Sequence, residues 1–149
     1  MTVVQFLVEV AGTYVATLAF GILINIPRRA LNVGGWIGVL GYLLYRFTVL
    51  GGGGYVVGNL LGAVAIGVAS LQAAKFKKMP MILFNIPAIV PLVPGGQAYQ
   101  MVKNFALGQN DTAFNYLLQV VMISGAIAFG FLLSEVVNRV QRRVWRHRR

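Results

Sequence analysis

The sequence contains no cysteine, one histidine and three acidic residues among its 149 positions. Without cysteine, the chain has no disulfide, no thiolate metal ligand and no cysteine nucleophile. His147 stands between two arginines, and one histidine cannot build a metal centre by itself. We therefore expect no metal and no cofactor. Because no Ser-His-Asp set and no pair of catalytic carboxylates is present either, we predict that the protein is not an enzyme.

Charge of either sign is also scarce. Charged residues make up 11% of the chain and hydrophobic residues 58%, and the mean hydropathy is +0.74. Soluble domains are about 25% charged and about 45–50% apolar. This composition excludes a soluble enzyme and a disordered tail. We predict an all-α integral membrane protein.

The charge that is present is mostly positive, with 13 Lys and Arg against 3 Asp and Glu. Six of the basic residues lie in 139–149, and most of the others lie between apolar runs. Lysine and arginine mark the cytoplasmic side of membrane proteins in this way, where they also contact anionic lipids. We therefore expect membrane lipids as partners, and no nucleic acid.

Five apolar segments are long enough to cross a hydrocarbon core, which takes about 20 residues per helix. The predicted spans are residues 3–24, 33–50, 55–74, 79–107 and 114–138. They form a transmembrane domain over residues 1–138, followed by a basic cytoplasmic tail over 139–149. The fourth span differs from the others because it contains a proline and glycine motif that breaks the helix.

The basic residues also predict the orientation of the spans. They follow spans one, three and five, whereas the opposite side carries only Arg46 and Lys103, both near helix ends. The positive-inside rule then places the N-terminus outside and the C-terminus in the cytoplasm. We expect a multi-pass protein of the cytoplasmic membrane.

Small residues recur every four positions in several spans, and they include Gly58, Gly62 and Gly130. Such spacing lets helix backbones approach closely in lipid, where hydrophobicity does not drive helices together. We assign these glycines to helix packing.

The fourth span carries prolines at 87, 91 and 94, followed by Gly95 and Gly96. A proline removes an N–H group and frees the carbonyl four residues earlier, and a freed carbonyl cannot face lipid. The pattern predicts a helix, a break and a second, amphipathic helix. Broken helices bind substrates in many secondary transporters, although a structural kink would have the same sequence.

Charges within the spans are few. Glu9 and Arg46 lie toward the outer ends of spans one and two, so they can pair. Charges in a membrane are costly and often functional, but these lie close enough to an interface to reach it or to pair, which favours structural roles. Glu9 is also the best candidate for a proton-coupling site because it lies deepest.

Two segments resemble the threonine/serine exporter family, and specifically its small, membrane-only subunit from the split, two-component form. They are residues 25–31, NIPRRAL, and residues 88–99, AIVPLVPGGQAY. The second contains P-x-x-P-G-x-x-x-Y, which is the more specific motif. The length and the five spans agree with the same family.

The resemblance implies a secondary transporter that exports threonine and serine, or succinate. It also implies a larger subunit with a soluble N-terminal region and five spans of its own. By position, we predict that the substrate pathway of this chain includes Asn85, Pro87, Pro91, Pro94, Gly95, Gly96 and Tyr99.

Two other functions fit parts of the sequence. The glycine ridges and the basic tail would suit a membrane scaffold or assembly partner that transports nothing. Five spans could also form a channel by self-association, although no segment looks like a selectivity filter. Neither alternative accounts for three prolines on one helix face.

Overall fold

A computed structural model describes residues 3–146 of the chain. This part of the chain is helical and contains no β-strand. Six α-helices and one short 3-10 turn follow each other along the sequence. They are α1 (Val3–Leu23), α2 (Arg28–Leu50), α3 (Gly54–Lys77), α4 (Ile82–Ile89), the 3-10 turn Val90–Leu92, α5 (Gly95–Ala106) and α6 (Asn110–Arg146).

Four of these helices are long and apolar enough to cross a membrane, namely α1, α2, α3 and α6. The fifth crossing is the pair made by Ile82–Leu92 and Gly95–Ala106, whose axes differ by 50°. Each part of this pair is too short to span a hydrocarbon core alone. The prediction of a multi-span helical protein with a broken fourth span is confirmed.

Most of the basic residues that the structure describes lie at one end of the bundle, which we call the basic end; Arg46 and Lys103 lie toward the other end. Lys75 and Lys77 occupy the last turn of α3, where cations interact favourably with the helix dipole. Arg28 and Arg29 form the first turn of α2, which begins five residues earlier than predicted. Pro27 precedes that turn, and a proline is tolerated there because the first N–H groups of a helix have no partner within it. Hydropathy alone does not find a charged first turn.

The other end of the bundle, the far end, carries the turn between α2 and α3 and the turn between α5 and α6. Gly52 and Gly54 have φ angles of 85° and 74°, and Gly108 has a φ of 73°. Glycine adopts these left-handed angles without steric cost. The four-glycine run therefore reverses the chain within a few residues and sets α2 antiparallel to α3.

Helix α3 lies at the centre of the bundle and packs against both α2 and α6. A Cβ atom at Gly62 would lie 2.8 Å from the carbonyl oxygen of Gly41 on α2, and one at Gly58 would lie 3.0 Å from that of Tyr45. On the other side of α3, a Cβ atom at Gly130 would lie 2.6 Å from the Leu60 carbonyl oxygen. These three glycines therefore allow the backbones of α2, α3 and α6 to touch.

Helix α4 inserts between the basic halves of α1, α2 and α3. Pro87 is fully buried there, and its ring faces two glycines, Gly21 on α1 and Gly34 on α2. Phe84 and Ala88 on the same helix are also fully buried. The contacts of Pro87 fix where the broken span starts, and so they determine where the break falls.

Helix α6 continues past the end of its apolar segment. The predicted fifth span ended at residue 138, whereas the helix runs to Arg146, so the first part of the predicted basic tail extends the helix. Residues 147–149 lie outside the described part of the chain. Asn138, at the end of the predicted span, is only 2% exposed and therefore still belongs to the packed bundle.

The glycine contacts predict opposite effects for two alanine substitutions on α6. Gly125→Ala adds a methyl group where nothing lies within 4 Å, so we expect it to stabilise the protein by about 0.5–1 kcal/mol through helix propensity. Gly130→Ala pushes a methyl group into the α3 backbone, so we expect this substitution to destabilise the protein by about 1–3 kcal/mol. Thermal unfolding in detergent measures both. Equal effects would contradict the packing described here.

Candidate functional site

The break in the fourth span is built so that its freed carbonyls find new donors. The N–H group of Val90 donates to the carbonyl oxygen of Pro87, and the N–H group of Val93 donates to that of Val90 over 3.3 Å. Both bonds span three residues, which is the spacing of a 3-10 helix. The turn thus satisfies two of the three carbonyls that the prolines free. An exposed, unpaired carbonyl would cost several kcal/mol in lipid.

After the 3-10 turn, the chain changes direction within two residues. Val93 is extended, with a ψ of 131°, and Pro94 precedes the first residue of α5. Helix hydrogen bonding resumes when the N–H group of Ala98 donates to the Pro94 carbonyl oxygen over 3.0 Å. The N-terminal end of α5, which carries the positive end of the helix dipole, therefore lies at the break.

A polar cavity of about 210 Å³ lies beside this break, toward the far end of the bundle. One of its walls is the break itself, and the other walls come from α2, α3, α5 and α6. This volume is below the about 300–1,000 Å³ that is typical of drug-sized ligand sites. The lining residues are Tyr42, Tyr45, Arg46, Asn59, Pro91, Leu92, Val93, Pro94, Gln97 and Ile123.

The charged group of the cavity is Arg46, which pairs with Glu9 of α1. The two side chains are 30% and 29% exposed, and a guanidinium nitrogen of Arg46 lies 3.1 Å from Oε1 of Glu9. The hydroxyl group of Tyr42 donates to the other carboxylate oxygen, also over 3.1 Å. Glu9 does not line the cavity itself, but its carboxylate bonds to both Arg46 and Tyr42, which do. The pairing that we considered from the sequence is present in the structure.

Asn59 adds a polar group from α3. Its side chain is 4% exposed, and its amide nitrogen donates to the Tyr55 carbonyl oxygen over 2.8 Å. Its Oδ1 atom is buried and has no hydrogen-bond partner within residues 3–146. A buried acceptor without a partner costs about 1–3 kcal/mol. The cavity thus presents a cation and two phenol groups, and the unpaired Oδ1 of Asn59 is buried behind its wall.

The structure brings only some of the sequence-predicted pathway residues to this cavity. Pro91 and Pro94 line it. Asn85 and Pro87 lie deeper along α4, toward the basic end. Gly95 and Gly96 are exposed, with open space where a Cβ atom would stand, and Tyr99 is 66% exposed.

Four polar residues of the lining were not predicted from the sequence, namely Tyr42, Tyr45, Asn59 and Gln97. Tyrosines near the end of a membrane span are most simply interfacial or packing residues, so Tyr42 and Tyr45 carry no signal of their own in the sequence. Asn59 could have been predicted as a candidate site residue, because it is an amide inside an otherwise apolar span. The cavity joins residues that are far apart in sequence, so spacing along the chain does not find it.

The lining is suited to a small anion or a small molecule with a carboxylate, because Arg46 is its charged residue. Guanidinium groups bind carboxylates through paired hydrogen bonds. No group of three or more histidine, cysteine or acidic side chains lies together in the part of the chain that the structure describes.

A multi-span helical protein with a broken helix beside a polar cavity has the architecture of a secondary transporter. Comparison with known protein families agrees with this class. Residues 9–137 match the family described as Threonine/Serine exporter, ThrE. The chain therefore belongs to the threonine/serine exporter family, as the sequence motifs predicted. No solved structure matches the chain.

The partly buried ion pair predicts a difference between two carboxylate substitutions. Glu9→Gln removes the charge that faces Arg46 and leaves a guanidinium group in a half-buried site, so we expect a loss of about 1–3 kcal/mol in stability. Glu135→Gln is the matched control, because Glu135 pairs with Arg139 on the exposed side of α6. Exposed pairs contribute about 0–1 kcal/mol. Thermal unfolding in detergent compares the two variants, and a larger loss in Glu135→Gln would contradict this account.

Proposed function

We propose that this chain is a subunit of a secondary transporter that exports threonine and serine across the cytoplasmic membrane. The observation that carries the proposal is the cavity at the break of the fourth span, which presents Arg46 among uncharged hydrogen-bonding groups. The family of the chain supports the type of substrate.

Arg46 is the group that we propose for the substrate carboxylate. Its guanidinium group lines the cavity and is held by Glu9, so its position is fixed before a substrate arrives. A preorganised cation loses less conformational entropy on binding than a free one. The N-terminal end of α5 lies at the same break and favours negative charge.

The remaining polar groups suit the rest of a small hydroxylated amino acid. The unpaired Oδ1 of Asn59 is buried, and it can accept a hydrogen bond from an ammonium or a hydroxyl group once a substrate uncovers it. The hydroxyl group of Tyr42 already donates to Glu9 and can accept a hydrogen bond, whereas that of Tyr45 can accept or donate one. Succinate, which the sequence left open as a substrate, would bring a second carboxylate close to Glu9. We therefore rank amino acids above dicarboxylates.

The pathway that we propose runs from this cavity along the broken span. It includes the two lining prolines and the residues on either side of them, Asn85, Pro87, Gly95, Gly96 and Tyr99. We propose that the basic end faces the cytoplasm and that the N-terminus lies outside. The cavity then belongs to the outer half of the membrane. Glu9 is the group that we propose for proton coupling, since it is the carboxylate that contacts the cavity's cation.

We further propose that the working transporter includes a larger subunit with a soluble N-terminal region. An odd number of spans allows two similar units to insert in opposite senses, an arrangement that is common in secondary transporters.

Arg46→Gln tests the proposed binding group. If the guanidinium group binds the substrate carboxylate, its loss should reduce the efflux of labelled threonine and serine about 10- to 100-fold, which corresponds to one charged hydrogen-bonding contact. The matched control is Lys103→Gln, because Lys103 is an exposed cation on α5 that does not line the cavity. Equal efflux from the two variants at equal expression would contradict the role of Arg46.

Replacing Pro94 and Gly95 by alanine tests the break itself. The double substitution restores an N–H group and favours a continuous helix, so efflux should fall strongly while the protein still reaches the membrane. Efflux is measured in preloaded cells that contain this chain, the candidate larger subunit, or both. Unchanged efflux in the double variant would remove the break from the mechanism. Efflux from this chain alone would contradict the two-subunit proposal.

A further inference from the structure

Three polar side chains carry buried atoms without hydrogen-bond partners in the basic half of the bundle, away from the cavity. Ser70 on α3 is 0% exposed and Asn138 on α6 is 2% exposed. The hydroxyl group of Ser70, both amide atoms of Asn138 and the Oδ1 atom of Asn85 on α4 have no hydrogen-bond partner within the described residues. None of these groups belongs to the cavity lining.

The helix contacts place Ser70 and the broken span at one level of the bundle. Helices α2 and α3 run antiparallel, with Gly41 against Gly62 and Ile66, and Tyr45 against Gly58. Continuing this register by one or two turns sets Ser70 opposite Gly34.

Gly34 in turn faces Pro87, since a Cβ atom there would lie 3.5 Å from the proline ring. Asn85 is two residues from Pro87, which is about 3 Å along a helix. Ser70 and Asn85 therefore lie at nearly the same depth.

The contacts between α3 and α6 add Asn138 to this level. Gly130 packs against Leu60 and Ala63, and Gly67 packs against Ser134. The two helices are therefore parallel and in a constant register, and continuing it places Asn138 beside Ser70 and Leu71. Helix α3 and the two helices that pack on it, α4 and α6, thus each bring a buried polar atom without a partner to one depth. We call Ser70, Asn85 and Asn138 the inner polar level.

An apolar layer separates the inner polar level from the cavity. Asn59 and Ser70 lie on the same side of α3, about 16 Å apart along the helix axis. Between them, Ala63 and Ile66 are fully buried. Leu92 of the 3-10 turn packs on Gly62 at this height and is itself buried. The cavity therefore ends at this layer, and the inner polar level is closed in the conformation seen here.

The closed inner level is energetically costly. Each buried donor or acceptor without a partner costs about 1–3 kcal/mol relative to a hydrated one. Opening the basic end would hydrate these groups, and a bound molecule with hydrogen-bonding groups would satisfy them. Transporters keep intramembrane polar groups where substrates pass. A purely structural role does not explain three such groups at one depth.

We propose that Ser70, Asn85 and Asn138 form a second binding position for the exported solute, which opens toward the basic end while the cavity at the break is closed. This inference rests on the proposed function. The position carries hydroxyl and amide groups only, so it takes the uncharged hydrogen-bonding groups of a small solute, such as the side-chain hydroxyl of serine or threonine. The solute then passes the apolar layer to reach Arg46.

The absence of cysteine from the chain makes a labelling test possible. Ser70→Cys changes one atom and introduces the single thiol of this chain. A charged, membrane-impermeant maleimide is added to the cytoplasmic face in everted vesicles, or to the outer face in spheroplasts, from cells that export. The matched control is Ser134→Cys, because Ser134 is 1% exposed but its hydroxyl group already donates to the Phe131 carbonyl oxygen.

We expect the thiol of the Ser70→Cys variant to react from the cytoplasmic face about tenfold faster than that of Ser134→Cys, since only position 70 lies where the bundle opens. It should also react faster from this face than from outside, and excess threonine should slow the reaction. Three results would overturn the proposal: a thiol at position 70 as inert as the control thiol, faster labelling from outside, or no protection by threonine or serine. The proposed function has a separate readout, since it fails if the unmodified chain together with the candidate larger subunit exports neither amino acid.

A pair of apolar substitutions distinguishes a binding position from a packing defect. Ser70→Ala together with Asn138→Leu removes unpaired buried groups, so the thermal unfolding temperature should rise or stay unchanged. Export of threonine should nevertheless fall about tenfold or more if these groups bind the solute. Normal export with raised stability would show that the groups are dispensable and would contradict the proposal.

Discussion

The break in the fourth span is the constraint on which the rest of the structure depends. A backbone in lipid must satisfy its own hydrogen bonds, and the three prolines remove part of that capacity. The 3-10 turn restores the bonds of Pro87 and Val90, and the chain then bends by 50°. Such a bend needs protein around it. Helices α1, α2 and α3 provide it, and their glycines allow the close contacts that hold α4 in place.

The same bend creates the space that the function requires. Because α5 turns away from the axis of α4, the far ends of α2 and α3 are not covered by a continuous helix, and a polar cavity remains. Arg46 can occupy this half-buried position because Glu9 and Tyr42 compensate for its burial. A charge without such partners would be expensive at this depth. The ion pair therefore connects α1 to the wall of the cavity, although neither of its residues lies in the broken span.

Much of the fold could be predicted from the sequence, because hydropathy and basic residues directly report the membrane. The five spans, the broken fourth span and the family motifs followed from local patterns. The start of α2 and the extension of α6 did not, since charged helical turns look like loops when only apolar length is counted.

The site was harder to predict. The amphipathic pattern of α5 did not say which face lies inside, and the structure buries Asn104 while Val102 and Phe105 are exposed. In a membrane the apolar face can point outward, which reverses the rule for soluble helices. The sequence alone does not reveal the roles that we propose for Asn59, Ser70 and Asn138, because these roles depend on neighbours that are distant in sequence.

The central claim is that the cavity at the break carries threonine and serine. Counterflow in proteoliposomes tests it most directly, with the purified chain reconstituted alone and with its candidate larger subunit. Vesicles preloaded with unlabelled threonine should accumulate labelled threonine, external serine should compete, and Arg46→Gln should slow the uptake about 10- to 100-fold while Lys103→Gln leaves it intact. Proteoliposomes that hold correctly inserted protein yet exchange neither amino acid would contradict the account.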